Sequence, residues 1–245
     1  QANNDLYRVS LLGGSPRKIL EPGSGGVYGW WGTFFSYSAD GRLAYSRPDG
    51  IGMVDQDGGY LKPLLNVTPL NTHSDWAWIP PIAWGADGKT LYYVSHAPAP
   101  PPVTEEESPF FDLSAVSFTS QSVVTMIDST GMFAYPAASP ARWDGKGRSY
   151  QVAYLQAIFV EQSETSRYRL MVMDRDGSNN RVLFPPSDAS GIEPQTPVWA
   201  PDVLEGQSGD FIAVVYQRNL WLVDSGSGQA YQVTGDGLIT SIDWK

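Results

Sequence analysis

Cysteine is absent from the 245 residues, which removes disulfides, thiolate nucleophiles and Cys-ligated zinc together. Histidine is almost absent: His73 and His96 are the two in the chain, whereas a catalytic zinc usually takes two or three imidazoles and a carboxylate. Charged residues make up 17%, against the roughly 25% of an ordinary globular domain. Cations are fewer than anions, 16 against 26, and the resulting net charge of −10 opposes phosphate backbones and anionic lipid. Nucleic acid is therefore not an expected partner. No apolar run reaches the length of a membrane span, so no membrane insertion is expected. Helical periodicity is missing throughout. So are the Gly-x-Ser-x-Gly elbow, the Gly-x-Gly-x-x-Gly cradle and the Walker sequence. No catalytic residue, metal or cofactor is expected on these grounds.

What is abundant is turn and aromatic chemistry: 25 Gly, 19 Pro, 9 Trp, 13 Tyr and 9 Phe. These residues recur in register. Tyr37, Trp84, Trp143, Trp199 and Trp244 read as anchors of inner strands, spaced 47, 59, 56 and 45 residues apart. Each of the first four anchors is followed by a turn and a β-rich second strand, among them Arg42-Leu43-Ala44-Tyr45-Ser46 and Leu91-Tyr92-Tyr93-Val94-Ser95. Third strands follow, such as Ile51-Gly52-Met53-Val54-Asp55, Val123-Val124-Thr125-Met126-Ile127-Asp128 and Arg169-Leu170-Met171-Val172-Met173-Asp174, each leading into a Gly-bearing turn. Short outer strands, for example Arg181-Val182-Leu183-Phe184, close each unit. A repeat of this period built from short strands predicts an all-β propeller of about five blades, each of three to four antiparallel strands. The repeat spans residues 1–245, so a single domain is expected. The chain starts in a third strand and finishes in an inner strand over 239–244, which places both ends in one shared blade. That blade lacks an obvious second strand: it is three-stranded, or the chain is a piece of something longer.

Pro197-Val198-Trp199-Ala200-Pro201-Asp202 followed by Phe211-Ile212-Ala213, and Leu170-Met171-Val172-Met173-Asp174-Arg175-Asp176-Gly177, resemble the TolB-like β-propeller repeat. The resemblance covers nearly the whole chain. Three features depart from the pattern. Ser-Pro-Asp-Gly is degraded, as in Ser38-Ala39-Asp40-Gly41 and Gly85-Ala86-Asp87-Gly88; the repeats number five where TolB has six blades; and an insertion over 96–118 lies in the third repeat. TolB-like propellers include periplasmic binding proteins, extracellular scaffolds and front domains of peptidases. The resemblance thus implies a periplasmic or extracellular setting and no single activity.

Blade topology sorts the loops between two faces. Uniform Asp-Gly turns take one face, and irregular connectors over 23–31, 66–78, 96–118, 161–167 and 187–196 take the other, where function tends to sit. The irregular face carries Tyr28, Trp30, Trp31, His73, Asp75, Trp76, Trp78, Phe110, Phe111, Glu193 and Gln195. Clustered aromatics with a few polar groups suit a sugar ring or the apolar side chains of a peptide. The competing structural role for these tryptophans is packing between blades. Phe110-Phe111 is expected to fold over the channel as a lid or to offer a sticky edge, and Glu105-Glu106-Glu107 to be a solvated acidic run. Asp174 and Asp176 are expected to bond their own turn rather than calcium, because the loop lacks a closing Glu. The expected function is non-catalytic binding or scaffolding, with a protein segment or polysaccharide as partner. The alternatives are a glycan-cleaving propeller using Asp75, Glu193 or Asp243, and a docking domain of a larger multidomain protein.

Overall fold

The computed structural model describes residues 6–20, 34–55, 57–59, 62–143, 145–201 and 210–244. An N-terminal pair, β1 (Tyr7–Arg8) and β2 (Arg17–Lys18), is followed by a first four-stranded sheet: β3 (Phe35–Tyr37), β4 (Leu43–Arg47), β5 (Gly50–Val54) and β6 (Lys62–Asn66). The second sheet is β7 (Ile82–Trp84), β8 (Thr90–His96), β9 (Phe111–Ser117) and β10 (Val123–Ile127). The third opens with β11 (Ala137–Ala138), is interrupted by a small hairpin of β12 (Arg142–Trp143) and β13 (Arg148–Ser149), and continues with β14 (Gln151–Ala157), β15 (Tyr168–Asp174) and β16 (Arg181–Phe184). The fourth is β17 (Val198–Trp199), β18 (Phe211–Tyr216), β19 (Asn219–Asp224) and β20 (Ala230–Gln232). All ladders are antiparallel between sequential neighbours, apart from the hairpin skipped in the third sheet.

The second strands explain this arrangement. In β4, β8, β14 and β18 the apolar residues run almost without a break, and both faces of each strand are buried. Such a run is stable only when its sheet is covered on both sides. Each sheet therefore packs on the next. One core joins the first and second sheets around Ile51, Trp84 and Val94; another joins the second and third around Tyr92 and Tyr154; a third joins the third and fourth around Leu170 and Trp199. Each large apolar side chain buried in this way contributes about 1.5–3 kcal/mol. The short inner strands β3, β7, β11 and β17 neighbour one another in that order and together line an axial cavity of about 580 Å³.

Turn chemistry on the regular face does double duty. Asp87 accepts the amides of Lys89 (2.8 Å) and Thr90 (3.0 Å), while Gly88 takes φ +63°. The Tyr150 hydroxyl of the next sheet also donates to Asp87, at 3.0 Å. Burial alone would raise the Asp87 pKa, but these three bonds and a fourth from the Thr90 hydroxyl, at 3.0 Å, outweigh it and lower it. Tyr92 in turn donates to the carbonyl of Arg175 at 2.6 Å, linking the second sheet to a turn of the third. Asp40 is held at about 2 by the Arg42 guanidinium and then by the Ser38 hydroxyl.

Three sequence expectations need correction. Trp143 is not an inner-strand anchor: Ala137–Ala138 fills that position, and Trp143 sits in the extra hairpin, 72% exposed. Ser139-Pro140 marks the true turn, which here is enlarged into β12–β13. Val123–Ile127 is an outer strand rather than a third strand, since β9 lies between it and β8. The connector is accordingly 97–110, shorter than the expected insertion, and belongs to the second four-stranded sheet (the third unit if the N-terminal pair is counted). Residues 239–244 form no strand, and β1 and β2 pair only with each other among the described residues.

Candidate functional site

Connectors from successive sheets meet on the irregular face and wall two cavities there. The first, of about 370 Å³, lies among connectors 67–81, 97–110, 128–136 and 158–167. Leu70, Trp76, Phe111 and Met132 supply its apolar lining, and His73, Glu107, Glu161 and Glu164 its ionisable groups. Among the described residues no lysine or arginine lines it.

Its walls are tied together through backbone. Asn71 donates its amide to the carbonyl of Glu106 at 2.7 Å, joining the first two connectors. The Trp78 indole N–H donates to the carbonyl of Met132 at 3.1 Å, and the amide of Met132 donates to the Ser163 hydroxyl at 3.2 Å. His96, at the end of β8, is buried with Nδ1 3.1 Å from the carbonyl of Thr68 and Nε2 2.8 Å from that of Ser108. Its ring stacks on Phe111 (4.9 Å between centroids, 14° between planes), and Phe111 meets Trp78 edge-on at 4.8 Å. Phe111, which lines the cavity, is thus backed by two buried rings, His96 and Trp78. His96 is the residue that sequence reasoning undervalued. The available signal was a histidine closing the apolar run of β8, where a buried imidazole must find carbonyl partners.

The second cavity, of about 610 Å³, is lined by 190–196 and Val198, by 215–218, by 239–242 and by Arg167. Its surface is largely apolar, from Ile192, Pro194, Val198, Val215, Ile239 and Ile242. Arg167 pairs with Glu193 at its rim. The Ser190 and Tyr216 hydroxyls meet at 3.1 Å, and the amide of Ile239 donates to the carbonyl of Arg218 at 2.9 Å. The tight turn between β18 and β19 carries Gln217 at φ +50° and Arg218 at φ +59°. Two-residue hairpin turns of this hand favour Asn-Gly, and a side chain in that region costs on the order of 1 kcal/mol or more. The two cavities flank the same connector, 158–167.

The residues singled out from sequence are therefore distributed unevenly. His73, Trp76 and Phe111 line the first cavity, although Phe111 is a buried strand residue and not a lid. His73 Nε2 lies 3.7 Å from a carboxylate oxygen of Glu107. Trp78 is buried structure (2% exposed) and Phe110 is half-buried, its carbonyl accepting the amide of Ala97 at 3.0 Å. Asp75 is exposed and lines neither cavity. Glu193 and Gln195 belong to the second cavity, where Gln195 clasps Val215 through both backbone groups, at 2.6 and 2.7 Å. Tyr28, Trp30 and Trp31 lie outside the described residues. The axial cavity is lined by no carboxylate among the described residues, so the acids required for glycan cleavage are not gathered there. Asp176 bonds the amide and hydroxyl of Ser178, and Asp174 the side chain of Asn179, so the acids of this turn are engaged within it.

No protein-family model matches this chain, and no curated protein matches it in sequence. Solved structures do match in shape. A nidogen/laminin complex aligns over 92% of this chain and 70% of its own, at 12% identity and a TM-score of 0.52. A putative TolB from Agrobacterium tumefaciens aligns over 100% of this chain and 80% of its own, at 17% identity and a TM-score of 0.51. Oligogalacturonate lyase in complex with manganese aligns over 96% of this chain, at 11% identity and a TM-score of 0.51, and this chain spans 62% of that enzyme. Identities this low speak for fold and not for activity. The fold of this chain is that of a β-propeller, as in each of these structures.

Proposed function

We propose that this protein is a non-catalytic binding propeller that recognises a protein segment on its irregular face, outside the cytoplasm, with the first cavity as the main seat. The observation that carries this reading is the convergence of four connectors on one cavity whose floor is fixed by buried rings and whose rim is acidic. A half-buried Trp76 beside Glu107, Glu161 and Glu164 suits the stem and charge of a basic side chain, by apolar contact and cation–π attraction on the ring and by charge at the rim. A polysaccharide would use the same ring by stacking, without need of the acids. The blade count belongs to the same proposal: the four sheets with a fifth unit to which β1, β2 and 239–244 contribute.

The test is selection from a random displayed peptide library on immobilised protein, with a glycan array in parallel. Enrichment of Lys- or Arg-bearing peptides, lost in Trp76→Ala and weakened in Glu161→Gln with Glu164→Gln, is expected. Enrichment that survives all three substitutions, or binding confined to glycans, would reject the proposed seat.

A further inference from the structure

Arg218 stands out in a protein of net charge −10. It lines the second cavity, is exposed, and among the described residues forms no ion pair, whereas Arg167 nearby is already neutralised by Glu193. It also occupies a turn position that glycine or asparagine would fill with less strain, directly after Gln217, which is strained in the same sense. Strained residues persist where the surroundings demand their side chains, which directs attention from the backbone outlier to the cavity it borders.

We propose that the second cavity captures the C-terminal end of an extended peptide, with Arg218 binding the free α-carboxylate and the apolar wall holding the last side chain. A guanidinium matches a carboxylate in a two-bond fork, and the pairing strengthens where apolar surface excludes water. Ile192, Pro194, Val198, Val215 and Ile242 supply that surface. A carboxylate beside an apolar group describes the last residue of a chain, because charge and side chain there branch from one carbon. The volume of about 610 Å³ lies within the roughly 300–1,000 Å³ of ordinary ligand sites. Gln195 is the positioning residue: its pair of hydrogen bonds with the backbone of Val215 holds connector 185–197 against β18, so the wall is set before a ligand arrives. This site is separate from the one assigned above and calls for the opposite charge in its ligand.

The experiment uses the whole chain and a synthetic peptide mixture randomised at its last residues, prepared once with free carboxylates and once amidated. Retained peptides should be the free acids, with apolar last residues, and amidation should weaken retention roughly tenfold, as expected for losing a charge-assisted bond. Arg218→Gln should remove the preference and Arg218→Lys keep part of it. Arg218→Asn should remove it while raising the melting temperature, because asparagine suits the turn; a binding loss through misfolding would lower it. Trp76→Ala should leave the preference intact, so failure at the first cavity does not mimic failure here. Equal retention of acids and amides, no enrichment at all, or a preference that survives Arg218→Gln would overturn the proposal.

Discussion

The two cavities of the irregular face are built from the same kind of part and come out with opposite chemistry. Both are walled by connectors between consecutive sheets together with loops that join the second and third strands of one sheet, and both share the loop 158–167 as a partition. On one side of it lie Glu107, Glu161, Glu164 and Phe111 backed by two buried rings; on the other lie Arg218, the ion pair of Arg167 with Glu193, and aliphatic walls. The sheets beneath share one strand order, and the charged residues that set the two cavities apart, Glu107, Glu161, Glu164, Arg167 and Arg218, lie on loops that the ladders leave unconstrained. A propeller can therefore carry cavities of different charge on one face above sheets of the same strand order.

The floor of the first cavity should be the more rigid, because it is made of buried rings. Trp78→Ala removes the bond to Met132 and the edge contact with Phe111, and should cost about 3–5 kcal/mol in urea unfolding. A loss under about 1 kcal/mol would mean that this ring is not part of a packed floor. His96→Phe keeps a ring but removes both ring nitrogens, so the carbonyl of Thr68 or Ser108 that accepts the imidazole N–H loses its donor, at about 1–3 kcal/mol. Hydrogen exchange should then quicken in connectors 67–81 and 97–110 and stay unchanged around the second cavity; equal quickening in both would erase the distinction between them. Gln195→Ala should show the converse pattern at about 1 kcal/mol, loosening 185–197 and sparing the first cavity.

The smallest effect belongs to the regular face. Asp40 has its pKa lowered to about 2 from an ordinary 3.8 by its bond to Arg42, so its contribution is full above pH 3.8 and is lost as pH falls through about 2. It is largely exposed, so the contribution is modest. Asp40→Asn should be slightly less stable than the parent at neutral pH and draw level with it only as pH falls below about 2; a gap that widens on acidification would contradict this sign.

Parts of this architecture were legible in the sequence. The second strands announced themselves because apolar residues fill both faces, and the Asp-Gly turns because few other pairs close them. Strand β9 was hidden because Asp112, Ser114 and Ser117 interrupt its apolar run, although Ser114 is buried with its hydroxyl 3.0 Å from that of Ser95. Trp143 misled because a tryptophan near the expected spacing outweighed the Ser139-Pro140 turn that precedes it. At the site, aromatic residues drew attention to the first cavity, and His73, Trp76 and Phe111 do meet there. The second cavity escaped notice because its walls are ordinary aliphatic residues. The strain at Gln217 and Arg218 is a property of backbone angles, and the apolar enclosure depends on residues 239–242 crossing that turn.

The convergence of connectors is what every functional statement rests on, and the lack of native cysteine makes it directly measurable. Asn71→Cys with Glu106→Cys places two thiols on backbone segments joined by a 2.7 Å hydrogen bond, within disulfide reach. Mild oxidation of the folded double variant should close an intramolecular disulfide and raise the melting temperature. Two free thiols after oxidation of the folded protein would place connectors 67–81 and 97–110 apart and contradict the convergence.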